Sequence, residues 1–165
     1  MIAPGSHGDE GPVEKILKDV RLTGREVTVC WAAIPSPYVV WNERQLGQGF
    51  AWRPGAVSFR TLEDDGPHDI RIYRVRGEPP LPPRAVRVIE VPFLLPVANG
   101  IEVGGRLDTR MLGWLAGSYL LRVAFFNAPR LEFAFMKDAE PRFAIPVADA
   151  AIARRTDFDL SGIPA

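Results

Sequence analysis

The chain has 165 residues, 47% hydrophobic and 24% charged, which suits one globular domain able to bury roughly 70% of its unfolded surface. Basic and acidic residues each number 20, so the formal charge is zero and the balance argues against nucleic acid as the main partner. Cys30 is the only cysteine, which excludes an internal disulfide and a cysteine-rich zinc site and fits a reducing compartment.

Sixteen prolines and fifteen glycines bound nearly every short apolar run, which favours many short strands over long helices. Residues 1–12 show no periodicity and no apolar core of a secretory signal, so they are expected to form a tail. From Pro12 onward Val13, Ile16, Leu17 and Val20 fall at helical spacing and predict a short amphipathic helix. A strand is the rival there, since Ile16, Val20 and Leu22 also share a face at period two. Glu26 to Ile34 alternates as a strand that places Trp31 in the core and stops at Pro35.

Tyr38 to Trp41 resumes an extended pattern, and Asn42 then offers an N-cap to a helical turn that Gly47 and Gly49 end. After Phe50-Ala51-Trp52-Arg53, the Pro54-Gly55 turn leads into a strand with Val57, Phe59 and Thr61 on one face. A loop over 63–67 precedes a strand through Ile70 and Ile72. The run Glu78-Pro79-Pro80-Leu81-Pro82-Pro83 is stiff and extended, with docking as a rival role. A strand follows over Arg84 to Phe93, whose Pro92 points to a strand end or a sheet edge. Asn99-Gly100 predicts a turn into Ile101-Glu102-Val103.

Gly104-Gly105 opens a loop holding Met111 to Ala116, after which Tyr119 to Phe125 and Leu131 to Phe135 form a hairpin about Asn127-Ala128-Pro129. Arg142 to Val147 adds a strand, and Val147 to Arg155 is an Ala-rich helix candidate. The expected fold is mainly β, an antiparallel β-sandwich over 13–147 with one or two short peripheral helices, a 1–12 tail and a 148–165 tail. The most apolar segment, Met111 to Phe126, is broken by Gly113, Gly117 and Arg122 and is shorter than the ~20 residues of a membrane helix. A soluble, cytoplasmic protein is expected.

Chemistry-bearing residues are sparse. His68 would have to anchor any dyad, and neither Ser58 nor Ser118 sits in a nucleophile elbow. Glu63, Asp64, Asp65, His68 and Asp69 match no EF-hand or zinc spacing, so a solvated acidic loop or a negative partner surface is expected rather than a metal site. No phosphate-binding glycine motif is present, and no cofactor is expected. Arg84, Arg87, Arg106, Arg110 and Arg122 are expected as scattered solvated residues, with a basic strip as the alternative. Trp52 and Trp114 fall in turn or loop contexts, where both packing and partner contact stay open.

Trp41 with its polar helical turn, Gly49-Phe50-Ala51, Gly55 to Phe59, Val91-Pro92-Phe93, Asn99 to Val103 and Gly117 to Leu121 occur in an order that resembles the competence protein J family. That family is also called Nin, the inhibitor of the DNA-entry nuclease, and the resemblance spans residues 27–137. It implies a non-enzymatic protein that binds and inhibits a DNA-degrading nuclease, for which a neighbouring gene is the candidate source, and it brings no catalytic residues with it. A nuclease presents a cationic cleft, so Glu63, Asp64 and Asp65 are expected to supply charge and Trp52 with Phe50 an apolar anchor. The alternative is a β-sandwich module that binds a ligand, a lipid surface or nucleic acid through the Trp114 loop and the arginines.

Overall fold

The computed structural model describes residues 13–62, 65–96, 100–152 and 157–164. Two sheets face each other. The larger has strand order β1 (Val13–Leu22), β5 (Gly66–Arg76), β10 (Arg130–Lys137), β9 (Gly117–Phe125), β6 (Arg87–Leu95) and β11 (Ala144–Val147). The smaller has β3 (Phe50–Arg53), β4 (Ala56–Arg60), β2 (Glu26–Trp31), β7 (Ile101–Gly104) and β8 (Thr109–Leu112). One short helix, α1 (Glu43–Gln48), precedes β3. Alternate side chains of both sheets interlock in one core, in which Phe59 of β4 and Phe133 of β10 meet across the gap at 5.9 Å.

The expected sandwich is therefore present, and its pairs are antiparallel except for β5 with β10. That parallel pair follows from connectivity. The chain leaves β5, crosses β10 and β9 on the outer face, and enters β6 running in the same direction as β5. Such crossovers are usually helical, but here the proline run makes it. Arg122 of β9, buried under the crossing, donates from Nη1 to the carbonyls of Pro79 (2.9 Å) and Pro80 (3.4 Å). Its Nε donates to Glu90 at 3.0 Å, Glu90 also accepts from Arg142, and Arg142 bonds Glu78 at the start of the proline run. The proline segment is thus clamped to its own sheet.

The helix expected from Pro12 is a correction: residues 13–22 form edge strand β1. A register shift between Leu17 and Val20, with Asp19 at φ 52°, inserts a β-bulge. The inward face is Val13 and Leu17 before the bulge and Val20 and Leu22 after it, while Ile16 remains exposed. Spacings of four and three, read from sequence as a helix, arise here from a phase change in a strand.

Several boundaries differ; the strand expected over Glu26 to Ile34 ends at Trp31, and the one expected over Arg84 to Phe93 runs Arg87–Leu95. Strand β5 already includes His68, so the loop expected over 63–67 is shorter, and Met111 and Leu112 belong to β8 rather than to a loop. The helix candidate 147–155 is absent over 148–152, which form an irregular turn; 153–156 lie outside the described residues, as do the 1–12 tail and Asn99. Pro92 lies inside β6, but β11 pairs only as far as Glu90, so the strand is open on that side where the proline sits.

The helical turn is as expected. Asn42 Oδ1 accepts from Gln45 N (2.8 Å) and Gln45 Oε1 accepts from Asn42 N (3.0 Å), a reciprocal capping box. Gly49 closes it at φ 85°, with its N–H on Gln45 O. Residues 157–164 pack back onto this corner: Gln48 bonds both backbone groups of Asp159, Gly162 N donates to Trp52 O, and Phe158 tilts on Phe50 at 5.4 Å.

Candidate partner-binding site

Phe50 and Trp52 have the same parity on β3, and the structure gives them different fates. Phe50 has no exposed surface; it stacks on Phe143 and packs on Phe158. Its expected role as a partner anchor is corrected, because a ring closed in on all sides belongs to the core. Trp52 is only partly buried. Its indole N–H donates to Pro92 O at 2.7 Å, and Phe143 meets the ring edge-on at 5.0 Å.

Held in that way, Trp52 is a wall rather than a knob. It bounds an open cleft of about 310 Å³ with Pro54, Pro92, Phe93 and Tyr119, and exposed Leu94 and Ser118 stand at its rim. The lining is almost wholly apolar. Tyr119 is fixed too, donating to Leu115 O at 2.6 Å and meeting Phe135 edge-on at 5.5 Å. Burial raises its pKa, so the phenol stays a donor at neutral pH. A preformed apolar hole with rigid walls receives an apolar side chain without paying to order itself.

The acidic loop lies elsewhere. Trp52 pairs with Val57 near the start of β4, whereas the loop follows Thr61 past its end, so at least four residues of extended chain, roughly 13 Å, part them. Asp65 is exposed, and its Oδ1 accepts from Arg25 N at 3.0 Å, while Arg25 Nη2 donates to Leu62 O. That pins the loop to the β1–β2 turn. Glu63 and Asp64 lie outside the described residues.

The other candidate groups are occupied by packing. Trp114 is 4% exposed, with its ring 5.0 Å from Phe135, so it is a core residue and not a loop anchor. Burial, with help from Glu102, pushes the Cys30 thiol up to about 12, which keeps it protonated and unreactive at neutral pH. Ser58 shares a 2.7 Å bond with Thr28 on the outer face of the smaller sheet, while His68 is buried with Nδ1 3.0 Å from Gly66 O. Ser118 lies at the cleft end of the larger sheet. Among the described residues neither Ser58 nor Ser118 is hydrogen-bonded to His68.

Four of the five arginines are held in ion pairs and form no strip. Arg87 and Arg122 are buried in ion pairs with Asp149 and Glu90, Arg110 pairs with Asp108, and Arg106 reaches Glu26 while covering Tyr38. Among the described residues no group of His, Cys, Asp and Glu is arranged to hold a metal ion. No helix there is long and apolar enough to cross a membrane.

The competence protein J (ComJ) family profile matches residues 19–141, from the bulge of β1 to the segment before β11 and including the whole Trp52 cleft. The chain belongs to the ComJ family. Two solved structures share the fold. ComJ from Bacillus subtilis, described as an inhibitor of the DNA degrading activity of NucA, superposes with a TM-score of 0.59 at 17% identity, covering 76% of this chain and 93% of that one. The crocagin biosynthetic gene J product gives 0.52 at 10% identity, covering 77% and 97%. No curated protein matches the chain. The ComJ fold thus appears in proteins described in different settings, and the cleft was hidden from sequence because its lining comes from β3, β6, β9 and the segment before β11.

Proposed function

We propose that this ComJ-family protein is a non-enzymatic, cytoplasmic inhibitor that acts by binding a DNA-degrading nuclease. The observation that carries the reading is the family match, because the B. subtilis relative is described as an inhibitor of NucA's DNA degrading activity. The rigid apolar cleft at Trp52 supplies a physical means. An exposed side chain of the nuclease fills it, with Leu94 and Ser118 at the rim. Glu63, Asp64 and Asp65 form a second contact, facing the cationic surface that any nuclease shows to phosphates. A standard interface of about 800 Å² per partner is wide enough to take in both ends of β4.

The test is to mix the purified chain with the nuclease encoded beside it and follow DNA digestion. Undiminished cleavage at clear molar excess would sink the proposal. Leu94→Lys, at an exposed rim position, is expected to weaken inhibition at least about tenfold with an unchanged unfolding midpoint, since hot-spot losses of 2 kcal/mol or more are typical at such centres. Asp64→Lys with Asp65→Lys is expected to weaken it less and mainly at low salt. If both variants inhibit as the parent does, the contact surface lies elsewhere.

A further inference from the structure

Where the proline crossover passes over β5 and β10, it does not lie flat. A cavity of about 380 Å³ remains between the outer face of the sheet, with Arg71, Tyr73 and Glu132, and the Pro80-Leu81-Pro82-Pro83-Arg84 wall. Phe126 and Arg130 close one side, the guanidinium 4.1 Å above the ring. Both walls are stiff. One is a paired sheet and the other is a proline run tied down by Arg122 through the carbonyls of Pro79 and Pro80.

Three guanidiniums and one carboxylate line this space. Arg71 is neutralised, by Glu14 at 2.5 Å and by Glu132 at 3.3 Å, and those bonds occupy both carboxylates. Arg84 and Arg130 are exposed and have no carboxylate partner among the described residues. Tyr73 adds a phenol whose pKa burial raises, so it stays a donor at neutral pH. The remaining surface is proline, Leu81 and aromatic ring.

We propose that this cavity binds a small ligand that carries a phosphate or carboxylate on a flat apolar body. The oxyanion meets the forks of Arg84 and Arg130, which bind such groups in bidentate geometry, and the Tyr73 hydroxyl donates a further bond. The body lies against Pro80, Pro82 and the Tyr73 edge. The volume falls in the range of small-molecule sites. The site lies apart from the Trp52 cleft and does not depend on nuclease binding, since the two share no lining residue.

The test is an NMR titration of the isotopically labelled full chain with phenyl phosphate, benzoate and deoxyadenosine monophosphate, with phenol as the neutral control. Saturable shifts are expected at Tyr73, Arg84, Phe126, Arg130 and Glu132, with a Kd below about 1 mM for at least one anion and none for phenol. The arms separate phosphate from carboxylate and a small ring from a nucleoside. Arg84→Gln with Arg130→Gln should leave the remaining spectrum in place and weaken binding at least about tenfold, as the loss of charge-assisted hydrogen bonds requires. No localised shifts by about 10 mM, or equal binding by the double variant, would overturn the proposal. So would steep, salt-sensitive binding of oligothymidine with no response to phenyl phosphate, which would mark a nucleic-acid surface instead.

Discussion

Arg87 is the largest fully buried side chain among the described residues, and each nitrogen of its guanidinium has an acceptor. Nε and Nη2 reach the two oxygens of Asp149 at 3.0 and 2.9 Å, and Nη1 donates to Arg60 O at 2.9 Å. Burial works against its charge and lowers its pKa, while Asp149 opposes the shift. Removing the acid strands a cation under the sheet. Asp149→Ala is therefore expected to cost about 3 kcal/mol in urea unfolding, whereas Arg87→Met with Asp149→Leu should cost much less. Equal losses would mean that packing, not charge, is what the pair contributes. From sequence Arg87 looked like one of several solvated arginines, because the carboxylate that buries it is 62 residues away.

At the scale of elements, two devices shape the edges of the sandwich. The β1 bulge turns one edge of the larger sheet, and Lys18 and Asp69 tie it down with a surface pair at 3.3 Å. The β7–β8 hairpin depends on Gly104 at φ 142°, where a Cβ would lie 2.1 Å from Asp108 O. Gly104→Ala is expected to cost about 2 kcal/mol or more, seen as a lower thermal midpoint with early loss of amide protection in β8. Retained protection would show that the hairpin tolerates a shift. The β9–β10 hairpin and the capped turn were legible because their signals are local: alternation, Asn42, Gly49 and paired strands close in sequence. Strand β1 was misread because a bulge changes phase without changing composition.

Across the whole molecule, several surface carboxylates titrate below their ordinary values. Asp108 is held at about 2, against 3.8, by the Arg110 side chain and then by the backbone N–H of Arg21. Asp19 N lowers Asp69, Arg71 lowers Glu14, Arg142 lowers Glu78, and Ser161 lowers Asp159. Each folded-state pKa lies under its unfolded value, so the stabilisation is complete above the unfolded value and is lost as pH falls through the folded one. For Asp108 that window runs from 3.8 down to about 2. The urea midpoint should fall as the pH drops through this window, and Asp108→Asn should flatten the fall. Added salt should shrink the effect, since these groups lie at the surface. A midpoint that holds steady to the bottom of the window would contradict the assignment.

By itself the sequence determined the class of the protein. Short alternating runs cut by proline and glycine specify strands, their turns specify hairpins, and the ordered motifs from Trp41 to Leu121 specify the ComJ family. Tertiary structure decided which of those residues remain available. Phe50 and Trp52 have like chemistry and the same parity, yet Phe143 and Phe158 close over the first and leave the second as the wall of a cleft. Likewise Arg84 reads no differently from Arg87 and Arg122 until the fold brings carboxylates to those two and leaves Arg84 at the end of a proline wall. The physical reason is common to both cases. Periodicity fixes which way a side chain points, but only contacts between distant segments fix whether that surface meets solvent, a partner charge or another ring.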